Sequence, residues 1–188
     1  MINTRALTLI LLLTLSIAAP AAPVPEAERG PIDLRRTTLL VRDIDRSREL
    51  YQDALGLSVV YDQEIGGGVD EDEQPPTSRL VLLRANDDFI GAIGLYQRYH
   101  DPEPPAVENR RPVAGDPIIV INASDLEARF ERIRNAAGVT VHTEPELREY
   151  PSPDGGTIPV MFSAIHDADG FFIEINNILG TPAGHEDD

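Results

Sequence analysis

The sequence has no cysteine, no lysine and no tryptophan. Without cysteine there is no disulfide to staple the fold and no thiolate to ligate metal, attack a carbonyl or carry a lipid anchor, so stability must come from packing. All 16 basic residues are arginine and they face 32 acids, a formal net charge of −16. A surface of that sign repels phosphate backbones and anionic lipid, which argues against nucleic acid and the membrane surface as partners. The sequence also lacks a G-x-S-x-G elbow, and Gly66-Gly67-Gly68 is followed by an acidic run rather than a helix. Nucleophilic hydrolysis and nucleotide chemistry therefore have no visible support.

One long apolar run is present, Ala6 to Ala18, preceded by Arg5 and followed by Ala19-Pro20-Ala21. It is shorter than the roughly 20 residues a membrane-spanning helix needs, and small residues stand where a signal peptidase reads. The expectation is a signal peptide over residues 1–21 and a polar linker over 22–33. The mature protein is then periplasmic or secreted, with no membrane anchor, and one unit more negative for the loss of Arg5. A tail over 180–188 is expected to be disordered.

Between these ends the chain repeats a plan. Thr37 to Val41 and Ile118 to Ile121 are β-branched runs, each followed by a polar cap and a helical pattern. The first helix, from about Ser47 to Ala54, carries Leu50, Tyr51 and Leu55 and stops at Gly56. The second carries Leu126, Phe130 and Ile133 at i, i+4, i+7 and ends by Gly138. Leu57 to Tyr61 and Val139 to Val141 then read as strands, as do Leu80 to Leu83 and Phe89 to Tyr96 around an Asn86-Asp87-Asp88 turn. Glu144 to Gly156 reads as a polar, proline-containing loop, and Thr157 to His166 with Phe171 to Ile178 as a closing hairpin. The acidic stretch Asp70 to Glu73 lacks the glycine and bidentate glutamate of a calcium loop and reads as a solvated hairpin loop. Pro102, Pro104, Pro105 and Pro112 rule out a helix between the two halves.

Asp43-Ile44-Asp45-Arg46-Ser47 with Tyr51 and Leu55-Gly56, and Asp167-Ala168-Asp169-Gly170 running into Phe171 to Ile175, together resemble the vicinal oxygen chelate superfamily of glyoxalases, bleomycin-resistance proteins and extradiol dioxygenases. The resemblance covers about Leu34 to Ile178. It implies an α+β fold of two paired βαβββ modules, residues 34–98 and 115–179 of a domain spanning 34–179, joined by a proline-rich crossover, 99–114. The eight strands would form a curved mixed sheet around a cleft, with the helices outside. It also implies a frequent homodimer and, in metal-using members, four ligands drawn from the first and last strands of each module. Those positions fall on Arg36, on Gly94 or Tyr96, on Ile118 and on Glu174. Only the last is a ligand, and a lone carboxylate does not hold a catalytic metal against water. No cofactor is therefore expected, a divalent metal on other ligands remaining the alternative.

Glu174 in a buried cleft would need a partner, and Arg36 is the candidate for an ion pair at the cleft floor. Strand alternation puts Thr38 and Leu40 on the Arg36 face with Leu39 and Val41 toward the helix, and Phe172 on the Glu174 face. Ile118 and Val120 line the second module, and Tyr96 stands near the edge of the first. The expected site for a small organic molecule is Arg36, Thr38, Tyr96, Ile118, Phe172 and Glu174. The catalytic alternative is a lyase, isomerase or dioxygenase with Glu174 as general base and Arg36 stabilising an oxyanion; a further one is a dimeric interaction protein with a closed cleft. His100, His142, His166 and His185 lack ligand-pair spacing. Around the turn His166 would pair with Phe171, on the face opposite Glu174.

Overall fold

A computed structural model describes residues 30–67, 75–87, 90–102, 107–153 and 155–180. The expected leader, most of the linker, the acidic loop and the tail beyond Gly180 lie outside the described residues. All regular structure described belongs to the unit Leu34–Asp188.

That unit contains β1 (Arg36–Leu40), α1 (Ile44–Arg48), β2 (Ser58–Ile65), β3 (Ser78–Arg84), β4 (Ala92–Arg98), β5 (Ile119–Asn122), α2 (Leu126–Asn135), β6 (Thr140–Pro151), β7 (Thr157–His166) and β8 (Phe172–Ile178). The strands form two four-stranded mixed sheets of the same plan, β1-β4-β3-β2 and β5-β8-β7-β6. In each, the first strand runs parallel to the last and the other pairings are antiparallel. The chain is thus two βαβββ modules, as the duplicated pattern implies.

The Asp43 carboxylate accepts the Arg46 N–H at 3.1 Å, so α1 starts at Ile44 rather than near Ser47. Its continuation, Glu49–Ala54, is wound as a π-helix, closed by the Leu55 N–H on the Leu50 carbonyl at 2.8 Å. The five-residue spacing of Leu50 and Leu55 suits that winding, which brings both into the core. Gly56, at φ +74, ends the segment. In α2 the Leu126, Phe130 and Ile133 stripe is buried, as its spacing predicts. Asp125 does not cap this helix. Its carboxylate instead holds Arg129 at 2.7 and 2.8 Å, and the Arg129 guanidinium donates to the Leu55 carbonyl of the first module at 2.7 Å.

The stretch from Glu144 to Pro151, expected as loop, is strand. β6 is twelve residues long and shifts register twice, between Val141 and Thr143 and between Thr143 and Glu146. Pro145 falls inside the second irregularity, where a missing N–H costs the ladder nothing. Tyr96 is not near an edge either, because β4 is flanked by β1 and β3 and Tyr96 pairs with Leu40 and Leu80.

One core joins the modules. Leu39, Val81 and Leu95 of the first sheet, Ile165, Ile173 and Ile175 of the second, and the apolar sides of both helices form a single buried cluster. The Asp167 to Gly170 turn fastens it. One Asp167 oxygen accepts the N–H groups of Asp169 and Phe171 at 3.0 and 2.9 Å, and the other accepts the Tyr51 hydroxyl at 2.8 Å. Asp169 in turn accepts the Arg42 N–H at 3.0 Å and the Arg42 guanidinium at 3.2 Å. The D-x-D-G motif is therefore a buried bracket from the second module onto the first helix.

The bracket has a pH signature. Burial, then the Asp167 carboxylate beside it, lifts the Tyr51 hydroxyl well above the usual tyrosine range. The unfolded chain ionises this group near pH ~10. With its folded pKa raised, the contribution of Tyr51 is complete below that pH and is lost as pH rises above it. Denaturant midpoints between about pH 8 and about pH 11 should fall more steeply for the wild type than for Tyr51→Phe. Equal slopes would remove Tyr51 as the responsible group.

Candidate functional site

Each sheet has one side on the core and one open side, and strand alternation decides which residues reach the open one. On β8, Ile173 and Ile175 are fully buried, while Phe172 and Glu174 take the other face. Glu174 stands between Val120 on β5 and Ala164 on β7. Phe172 stands opposite His166, not Phe171 opposite it. The hairpin expectation was off by one residue, and His166 shares the face of Glu174. The cause is the bracket: Asp167 draws the Asp169 and Phe171 amides inward, and the turn takes up Phe171 before pairing resumes.

A cavity of about 320 Å³ opens on this face. Ile118, Phe172 and Glu174, three of the six expected ligand residues, border it. His142, Arg111, Arg148, Phe162 and Ala164 complete much of the wall. The His142 and His166 rings meet Phe172 edge-on at 5.4 and 5.2 Å, and each other at 5.7 Å. The Arg148 guanidinium lies over the Phe162 ring at 3.6 Å while its Nε donates to Glu146 at 2.8 Å. His166, 1% exposed, bonds through Nε2 to the Arg110 carbonyl at 2.9 Å. That carbonyl can only accept, so Nε2 is the donor in this bond. Burial, then the Arg111 charge, then His166, pull the His142 pKa below the usual histidine range, so this imidazole is neutral at neutral pH. The wall thus offers aromatic edges, two guanidinium groups, a neutral imidazole and one carboxylate.

The other three expected residues lie elsewhere. Thr38 and Tyr96 sit on the open side of the first sheet, opposite Gly94 and Leu40, and do not border this cavity. Arg36, on β1 opposite Ala92, belongs to a separate groove. The expected Arg36–Glu174 ion pair is not formed: the residues stand on different sheets, and among the described residues neither takes part in a salt bridge. Glu174 is only half-buried and so has no need of a fixed counter-charge. A larger cavity, about 390 Å³, lies at the ends of β1 and β4. Its polar groups are already engaged, Gln97 with the Ile44 N–H and Asp169 with Arg42.

The register also tests the fit of a metal. Thr38 pairs with Gly94 as Val120 pairs with Glu174, each first-strand residue standing five before the Asp that precedes its helix. The counterpart of Glu174 is therefore Gly94, which has no side chain, and the first-strand positions hold Arg36 and Ile118. Among the described residues no group of three or more His, Asp or Glu is gathered to hold a metal ion. The donor set at the superfamily positions does not fit a divalent ion.

His142, Arg111 and Arg148 were not read from the sequence as wall residues. The signal was there for two of them, since His142 and Arg148 lie on a stretch whose length as a strand was underestimated.

Two βαβββ modules sharing one core, with a ligand-sized hollow on an open sheet face, define a glyoxalase-like class of α+β protein. The sequence profile of the Glyoxalase/Bleomycin resistance protein/Dioxygenase superfamily matches residues 33–175, and the chain belongs to that superfamily. Among solved structures, a glyoxalase family protein from Bacillus cereus aligns over 83% of this chain and 100% of its own, with TM-score 0.58 and 12% identity. A mutant glyoxalase I from Zea mays aligns over 77% of this chain and 46% of its own, with TM-score 0.52 and 18% identity. At these identities the likeness is one of fold. No curated protein matches the chain in sequence.

Proposed function

We propose that the chain is an exported, homodimeric protein that binds a small organic molecule on the open face of its second module, without a metal at the superfamily positions. The observation that carries this reading is the cavity of about 320 Å³, where the Phe172 and histidine rings converge beside a carboxylate that makes no ion pair among the described residues. Small-molecule sites set aromatic and aliphatic surface beside directed polar groups, and here Ile118, Phe162 and Phe172 stand with His142 and Glu174. Export is supported by the apolar run and small-residue cleavage pattern before Ala22.

A thermal-shift screen of small organic compounds against the mature chain tests the reading. A compound that raises the wild-type melt should bind about tenfold more weakly to Glu174→Gln and to Phe172→Ala, each losing one hydrogen bond or one ring contact. Nickel, manganese, iron and zinc should leave the wild-type melt unmoved. Stoichiometric metal in the purified chain, or hits indifferent to both substitutions, would sink the proposal.

A further inference from the structure

The open edges of β1 and β5 border a second hollow, of about 380 Å³, distinct in character from the first. Its wall is aliphatic, with Leu34, Leu57, Ile93, Val120 and Ile121 contributing and no aromatic ring among the described lining residues. Val120 on β5 and Ile118 just before it are 61% and 48% exposed, a concentration of uncovered branched side chains at one strand edge. Arg36 is the only charged residue among the described residues lining it, and it makes no ion pair among the described residues. In a chain with two acids for every base, an arginine left without a carboxylate is set apart from most of the others. Arg42, Arg48, Arg79, Arg98, Arg110, Arg129, Arg134 and Arg148 all have one.

We infer that this groove is a second binding site, for an aliphatic monocarboxylate whose acid group pairs with Arg36 and whose chain lies along the exposed Val120 at the open edge of β5. A guanidinium cannot lose its charge, and its fork matches a carboxylate in two parallel hydrogen bonds. The wall supplies what such a ligand has at its other end, branched aliphatic surface, of which Val120 and Ile118 are already turned toward water. A flat aromatic ligand suits the first cavity better, since the rings are there.

Calorimetric titration of the mature chain with hexanoate, octanoate and decanoate tests the site. Each added methylene should tighten binding about threefold to fourfold. Decanol should bind at least about tenfold more weakly than decanoate, and Arg36→Gln should erase that difference while leaving decanol affinity unchanged. Val120→Gln should weaken acid and alcohol alike. Glu174→Gln should change neither, and it separates this site from the first cavity, with which it shares only Ile118 among the residues described. Four results would overturn the inference: no dependence on chain length, undiminished decanoate affinity in Arg36→Gln, decanoate affinity lost in Glu174→Gln, or a dimer that Val120→Gln converts to monomer while decanoate does not bind. Circular-dichroism melts of both groove variants, on edge strands and partly exposed, confirm that each is folded when titrated.

Discussion

Replacing Asp167 with alanine should lower the unfolding free energy by roughly 3–5 kcal/mol, beyond the usual range for a single substitution. The side chain is 2% exposed and accepts three hydrogen bonds, from Tyr51, Asp169 and Phe171. Alanine strands all three donors, and each buried donor without an acceptor costs about 1–3 kcal/mol. The sum is not fully realised, because Asp167 is itself strained. Burial raises its pKa above the ordinary carboxylate range, the three hydrogen bonds pulling it back only in part. Keeping the native carboxylate charged thus costs free energy that alanine releases. Asp167→Asn discriminates between loss of shape and loss of charge. Its amide oxygen can still take the two backbone N–H groups and its amino group can face the Tyr51 oxygen, so a loss of only about 1 kcal/mol is expected. Denaturant unfolding of the two variants checks the ranking. If alanine costs no more than asparagine, the bracket does not hold the modules together.

The second large effect should come from Phe130→Ala, a loss of about 3–4 kcal/mol by the same measurement. α2 has ten residues, too few to persist in water on propensity alone. It is held by Leu126, Phe130 and Ile133, all buried, and Phe130 is the largest of the three. Truncation leaves a hole in the core that both modules share. It should also weaken ligand binding in the first cavity, since α2 supports the back of the sheet whose front carries Glu174 and Phe172. A variant that loses stability but binds with wild-type affinity would show that the sheet keeps its shape without the helix.

These effects bear on what the sequence made legible. The repeated strand–cap–helix plan, the stripe on α2 and the D-x-D-G turn were enough for the fold, because each is local and periodic. The faces of β1 and β8 followed from alternation, and Leu39, Val41, Phe172 and Glu174 stand where it put them. What failed depended on counting through irregular backbone. The five-residue hairpin turn reversed the face expected for His166, and two irregularities hid half of β6 behind a proline. The Arg36–Glu174 pair failed for another reason. It required two sheets to bring one strand of each together, and strand patterns carry no information about the distance between sheets.

The helical segments of the two modules differ in winding yet agree in length. Thirteen positions lead from Asp43 to Gly56 and thirteen from Asp125 to Gly138, although the first path is α then π and the second is α followed by an irregular turn. Contour, rather than hydrogen-bond pattern, is what the two halves hold in common. Each connection must therefore cover the same gap from one strand to the next with the same number of peptide units, and slack taken up in one by widening a helix is taken up in the other by ending it early. A duplicated scaffold of this kind tolerates divergence in how its spacers coil while remaining intolerant of a change in how many links they contain.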